Sequence, residues 1–161
     1  MYNIEKTGGM MMKEAAVMKL EDMLCFTAYA TSRELTRIYR PILEKFGLTY
    51  PQYLVMVVLW ERGTSTVTEL GDRLLLDSGT LTPLLKRLQE ADLVVRKRSL
   101  EDERKVEVGL TDKGAQLQNQ MQSVSVDIFA EICGSFEKYL ESLGQFKELL
   151  AKVNEVARRS D

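Results

Sequence analysis

Leu76–Leu110 reads LDSGTLTPLLKRLQEADLVVRKRSLEDERKVEVGL, and its hydrophobic period changes partway along. Up to Leu93 the spacing is helical; beyond it, VVRKRS and RKVEVGL alternate like strands, with Val106, Val108 and Leu110 on one face. The charged segment SLEDE between them reads as the tip of a hairpin. Either Asp77 or Ser78 can cap the helix, and Pro83 is tolerable in its first turn. Just upstream, TVTELGDRLLLD is a second short helix, separated from the first by Asp77-Ser78-Gly79.

Working outward, Thr49-Tyr50-Pro51 reads as an N-cap with proline in the first turn. The run YLVMVVLWE that follows is apolar on all sides, as a helix buried within a fold is, and Gly63 stops it. Further back, Leu20, Leu24, Ala28, Leu35, Ile38 and Ile42 recur at helical spacing among Arg33, Glu34, Arg37 and Arg40. This is a long amphipathic helix ending near Pro41. After the hairpin, Thr111-Asp112 opens a helix running to about Cys133, where Gly134 stops it, and a last helix covers about 137–157. Residues 1–17 read as a mobile tail and 18–161 as a single domain, without internal repeat or linker.

The expected fold is mainly α with a small β-hairpin wing: a winged helix-turn-helix over about 49–111, flanked by dimerisation helices at about 18–46 and 112–158. The second helix of the motif would enter a major groove. Ser78, Thr80 and Thr82 could reach base edges or phosphates, while Lys86 and Arg87 neutralise the backbone. The hairpin carries Arg96, Lys97, Arg98, Arg104 and Lys105, suited to a wing in the minor groove. Asp102 lies two residues before Arg104 and can hold it by an ion pair. Apolar residues on the end helices, including Leu24, Ile128, Phe129, Leu143, Phe146 and Leu149, need burial. Intertwining with a second chain would provide it and give a homodimer reading a pseudo-palindromic double-stranded operator.

Composition is ordinary for a soluble protein, with 45% hydrophobic and 29% charged residues and a net charge of −2. No apolar run is long enough to cross a membrane, and the N-terminus lacks a secretory pattern, so no membrane partner and a cytoplasmic location are expected. The chain has two cysteines and no histidine. That removes Cys-His and Ser-His nucleophile pairs and most zinc arrangements; neither a cofactor nor a metal is expected. A structural disulfide is also unexpected in the cytosol, which leaves packing or redox chemistry for the cysteines.

From about Leu20 to Ala157 the chain resembles the MarR family of transcription regulators. The resemblance is carried by LTYPQYLVMVVLWE, LDSGTLTPLLKRLQEADLVVRKRS and the wing EDERKVEVGLTDKG, with Asp102 and Arg104 followed by Leu110-Thr111 and Gly114. Within that family, KLEDMLCFTAYATSRELTRIYRPIL and LTYPQYL resemble the organic hydroperoxide sensors. Their motif is a cysteine, here Cys25, with tyrosines fourteen and twenty-five residues later, here Tyr39 and Tyr50. The resemblance implies that the partner subunit's tyrosine hydroxyls hydrogen-bond the reactive sulfur, favouring the thiolate that attacks peroxide. It also implies that Cys133 is a resolving thiol, forming a disulfide with oxidised Cys25 of the other subunit and releasing the operator.

Organic hydroperoxide is then the inducer, and the chain is a repressor, not an enzyme. Tyr29 and Phe26 either line the sensing pocket or pack in the core. Met23, Met56 and Trp60 are core residues or walls of an apolar cavity. Two other readings differ in kind: a regulator controlled by reversible binding of a phenolic or lipophilic ligand, and a thiol peroxidase that would leave the recognition helix and wing without a task.

Overall fold

The computed structural model describes residues 19–99, 102, 104–121 and 124–159. The expected tail at 1–17 lies outside the described residues, as do positions 100, 101 and 103 of the expected hairpin tip. The chain divides into two compact units, the first ending at Leu54 and the second starting at Val55.

The first unit opens with a 3-10 turn at Leu20–Asp22, followed by α1 at Leu24–Leu43 and a second 3-10 turn at Glu44–Phe46. The single helix expected from Leu20 is thus interrupted. Met23 is extended (φ −88°, ψ 115°), and its side chain makes no capping bond. At the other end Pro41 does not stop the helix, which runs on to Leu43. Proline withholds only one N–H there, and Gly47 in the left-handed region (φ 66°) turns the chain. Leu48 then donates its N–H to the Leu43 carbonyl at 3.0 Å, and both side chains are buried.

Helix α2, Tyr50–Arg62, passes from the first unit into the second. Thr49 precedes it as expected. The buried Gln52 side chain accepts from the Thr49 N–H (2.8 Å) and from its hydroxyl (3.0 Å), which is the glutamine half of a capping box. Val55, Met56, Val58 and Leu59 are buried, so the apolar run is the core helix its composition implies. Trp60 is half-buried. Gly63 ends the helix with φ 82°.

In the second unit, β1 (Ser65–Thr66) leads directly into α3 (Val67–Leu74), where Thr66 and Glu69 form a complete capping box. Helix α4 covers Ser78–Glu90 and is capped by Asp77. Strands β2 (Val94–Arg98) and β3 (Val106–Leu110) pair antiparallel with Val94 opposite Leu110 and Arg98 opposite Val106. Strand β1 adds to the other edge of β3, giving the order β1-β3-β2. This third strand has only two residues, too few to produce an alternation visible in the sequence. Leu70, Leu81, Leu85, Leu88, Val94 and Val108 form the buried centre between helices and sheet.

Pro83 is the sixth residue of α4, not part of its first turn. A proline there cannot donate to the Gly79 carbonyl four residues earlier, and its exposed position keeps that carbonyl within reach of solvent. The helix expected over 112–133 is described in two parts, α5 (Asp112–Met121) and α6 (Val124–Cys133), with 122 and 123 outside the described residues. Gly134 (φ 81°) follows α6, and α7 runs from Phe136 to Arg158 behind an N-cap at Ser135. No residue of α7 is buried; Phe136, Leu140, Phe146, Leu150, Val153 and Val156 are all exposed. Of the other apolar residues expected to seek a partner, Leu24 is exposed, and Ile128, Phe129, Leu143 and Leu149 are partly covered.

One junction ties α4, the sheet and α5 together. The Leu93 carbonyl accepts the Thr111 N–H at 3.1 Å, and Thr111 Oγ1 donates to the Asp92 carbonyl at 2.7 Å. Trp60 Nε1 donates to the Gly114 carbonyl at 2.9 Å. A Cβ on Gly114 would lie 2.0 Å from the Leu93 carbonyl oxygen, a backbone atom that cannot swing away. Gly114→Ala is therefore expected to cost about 3 kcal/mol, at the upper end of overpacking effects. Urea unfolding followed by the emission of Trp60 measures it; an unchanged midpoint would mean that the junction relaxes freely.

Candidate functional site

The chain's chemistry-bearing residues fall into a reading head in the second unit and a tyrosine cluster in the first, with a cysteine in each unit. In the reading head, α4 presents Ser78, Thr80, Thr82, Lys86 and Arg87, all exposed. Their hydroxyls are not equally available. Thr80 donates its N–H (2.9 Å) and its hydroxyl (2.8 Å) to the Asp77 carboxylate, and Thr82 Oγ1 donates to the Ser78 carbonyl at 2.7 Å. The Thr80 hydroxyl and then its N–H hold the Asp77 carboxyl below its ordinary pKa. Lys86 lies 3.9 Å from Glu90 one turn on, a weak surface contact that leaves its ammonium free to meet a phosphate.

The wing is built on β2 and β3. Arg98 and Lys97 are exposed toward its far end, while Arg96 is half-buried and turned back, its Nε donating to Gln89 of α4 at 2.6 Å. The turn closes through Ser99 N–H to the Lys105 carbonyl (2.9 Å) and Lys105 N–H to the Asp102 carbonyl (2.8 Å). Asp102 then accepts from both the backbone N–H and Nε of Arg104, each at 3.1 Å. The arginine side chain is 91% exposed and its partner 28%. The contact therefore directs a solvated guanidinium outward from a partly covered carboxylate. As a pair this exposed, it orients the arginine without contributing much to stability.

In the first unit, Tyr39 and Tyr50 come together with ring centroids 5.0 Å apart, although eleven residues separate them. Tyr53, which the sequence reading did not single out, completes the group at 5.9 Å from Tyr39 and 6.3 Å from Tyr50. Its position three residues after Tyr50 places both rings on one face of α2, and that spacing is the signal that could have found it. Burial and then the neighbouring Tyr53 raise the pKa of Tyr50, so its hydroxyl stays protonated and able to donate.

Cys25 is not part of this cluster within one chain. It and Tyr39 lie fourteen residues apart on the same helix, α1, a separation of about 21 Å at 1.5 Å per residue. Cys25 is exposed in the first turn of α1, with Phe26 half-buried beside it and Tyr29 exposed one turn on. Tyr29 is therefore not a core tyrosine within the chain. Cys133 ends α6 and is half-buried; both sulfurs are free thiols. Among the described residues, no group of acidic and sulfur ligands could hold a metal ion, and no helix is long and apolar enough to cross a membrane.

Hydrogen bonding from the Arg104 side chain, then from its backbone N–H, holds the Asp102 carboxyl below its ordinary pKa. A depressed carboxylate pKa means that the wing contact is complete at neutral pH and is lost only as pH falls through that lowered value. Carboxyl-carbon NMR should place the Asp102 midpoint below 3.8, the ordinary value, with Arg104→Ala moving it upward. An identical midpoint in the variant would remove the pair as the cause.

The family described as transcriptional regulator SarA/Rot matches residues 37–121. The organic hydroperoxide resistance transcriptional regulator of Bacillus subtilis (strain 168) is 47% identical over 144 residues, covering 89% of this chain and 95% of that protein. Two solved structures of AbfR, a protein of Staphylococcus epidermidis, are also similar. Reduced AbfR bound to DNA has a TM-score of 0.76 and 37% identity over 86% of this chain and 94% of its own. Disulfide-formed AbfR has a TM-score of 0.61 and 37% identity over 82% and 92%. With a winged helix-turn-helix in the second unit and relatives at this identity over almost their full length, the chain belongs to the MarR-type winged-helix transcription regulators, alongside the organic hydroperoxide resistance regulators.

Proposed function

We propose that this chain is a cytoplasmic, dimeric repressor that leaves a pseudo-palindromic DNA operator when an organic hydroperoxide oxidises Cys25. The observation that carries the reading is the helix separation: a tyrosine pair is assembled in each chain, yet the helix keeps that chain's own Cys25 about 21 Å from Tyr39. A sensing site with cysteine and tyrosines together therefore needs two chains, one supplying Cys25 and the other Tyr39 and Tyr50. The exposed apolar residues of α1 and α7 support the same pairing, since burial against a second copy removes them from water. The working unit is the stretch 18–161, with DNA reading at about 49–111 and dimerisation through the helices on either side.

The chemistry balances with one oxidant and two thiols. The Cys25 thiolate, stabilised by donated phenol hydrogen bonds, attacks the terminal oxygen of the hydroperoxide. The O–O bond breaks, the departing alkoxide takes a proton to become an alcohol, and the sulfur becomes a sulfenic acid. The thiol of Cys133 from the other chain then displaces water to form a disulfide. The tyrosines lose their anionic acceptor, and the reading heads separate from the spacing the operator requires. Oxidation occurs once per regulatory event, so the chain is a stoichiometric sensor, not an enzyme. The reduced DNA-bound and disulfide states known for AbfR support the two ends of this sequence.

Operator binding before and after cumene hydroperoxide, with a thiol reductant added last, tests the reading. Wild-type protein should be released and then rebind. Cys25→Ser should bind and ignore the peroxide, and Cys133→Ser should fail to give the interchain crosslink in non-reducing electrophoresis. Normal release of the Cys25 variant would refute the redox assignment, and release by a non-oxidising phenol alone would favour ligand control. Arg104→Ala should lower affinity and reduce the slope of log affinity against log salt by about one. An unchanged slope would remove Arg104 from the phosphate contacts.

A further inference from the structure

Tyr39, Tyr50 and Tyr53 form a closed triangle of rings, with interplanar angles of 55°, 34° and 49° between the pairs. Tilted rings at these separations attract one another, so each ring steadies the other two. They are not equally enclosed. Tyr39 is 2% and Tyr53 5% exposed, whereas Tyr50 is half-buried, so Tyr50 is the ring with surface left for a second chain to meet. The backbone beneath it is fixed: Leu48 N–H bonds to the Leu43 carbonyl at 3.0 Å, and Gln52 holds Thr49, the residue just before it. The direction of the Tyr50 ring is a separate matter, because Tyr50 is the first residue of α2 and has no preceding turn of that helix to lean on. A phenol oxygen stands at the far end of a side chain with two torsions, so a small rotation at Cβ displaces it more than any ring carbon.

We propose that Tyr53 is a positioning residue of the sensor: its buried ring backs Tyr50 and fixes the direction in which the Tyr50 hydroxyl donates to Cys25 of the other chain. This rests on the reading of Cys25 as the peroxide-reactive thiol and of Tyr50 as one of its donors. With Tyr39 alone, Tyr50 would meet its neighbour at one contact, about which the ring could pivot. Tyr53 closes the triangle from one turn further along α2 while also packing on Tyr39 of α1. The role belongs to the ring, because its contacts with both neighbours are ring contacts. Tyr53 also acts on the phenol itself: after burial, it is what raises the Tyr50 pKa and keeps that hydroxyl a donor. A donor aimed before the oxidant arrives needs no reorganisation as charge develops on the sulfur.

The test follows oxidation of Cys25 by cumene hydroperoxide in the reduced full-length protein, read by mass spectrometry of the Cys25 peptide after the sulfenic acid is trapped with a 1,3-dione. Tyr53→Leu, which removes the ring, should slow the reaction about tenfold, the loss expected when a hydrogen bond to a charged group is misdirected. Tyr53→Phe, which keeps the ring, should restore most of the wild-type rate. In protein already carrying Tyr50→Phe, where the ring stays and the donor is gone, Tyr53→Leu should change the rate by less than about twofold. If Tyr53→Leu loses the folded dimer in sedimentation, Tyr53→Met fills the space with an unbranched chain and carries the same expectation. An undiminished rate in Tyr53→Leu, or the same tenfold slowing in the Tyr50→Phe protein, would overturn the role of Tyr53 while leaving the thiol switch intact. Tyr53→Phe as slow as Tyr53→Leu would overturn the assignment to the ring. A wild-type rate in Tyr50→Phe alone would overturn the phenol as donor, and release of Cys25→Ser from its operator by the peroxide would overturn the thiol reading; the Tyr53 proposal falls with either.

Discussion

The contact between the Gly114 backbone and the Leu93 carbonyl is the closest approach on which the reading head is built. Around it the end of α4, the start of β2, the end of β3 and the first turn of α5 are held by the Thr111 and Trp60 hydrogen bonds. Lys113 adds a bond from its ammonium to the Ala91 carbonyl at 2.8 Å. The recognition helix and the wing are therefore joined at one small backbone knot, and how they meet is constrained there rather than by the exposed residues that would face a ligand. A larger residue at 114 would change that junction before it changed any surface charge.

The second unit buries its own leucines and valines, but α7 buries none of its residues, and α1 leaves much of its apolar face in water. This is the behaviour of elements whose core is shared with another molecule, where folding and association stabilise one another. The same rigidity that separates Cys25 from Tyr39 makes the proposed chemistry conditional on that association. A helix of this length cannot fold back on itself, so sensing and dimerisation would be gained or lost together.

Much of the reading head was legible in the sequence because its signals are local. The change of period after Leu93, the cap at Asp77, and the glycines at 63 and 134 each act within a few residues. The interruption at Met23 was hidden, since Leu20 and Leu24 keep the helical spacing across it, and only the missing cap reveals the break. Strand β1 escaped because its two residues are defined by pairing with β3, a partner more than forty residues away. The tyrosine cluster was legible in part: resemblance singled out Tyr39 and Tyr50, while Tyr53 needed the helical phase of α2. No sequence pattern reveals which hydroxyls on α4 are already occupied, because the Thr80 and Thr82 bonds depend on side-chain rotamers.

Those occupied hydroxyls bear on how α4 would discriminate among bases. With the hydroxyls of Thr80 and Thr82 donating to the Asp77 carboxylate and the Ser78 carbonyl, these two residues offer a groove chiefly their methyls, beside a Gly79 carbonyl that Pro83 leaves without its donor four residues on. Methyl groups recognise thymine methyls by apolar contact, and a carbonyl accepts from the amino groups of adenine or cytosine. On the DNA-binding reading, Thr80 and Thr82 would therefore favour thymine methyls, while donors on this helix would come from Ser78, Lys86 and Arg87.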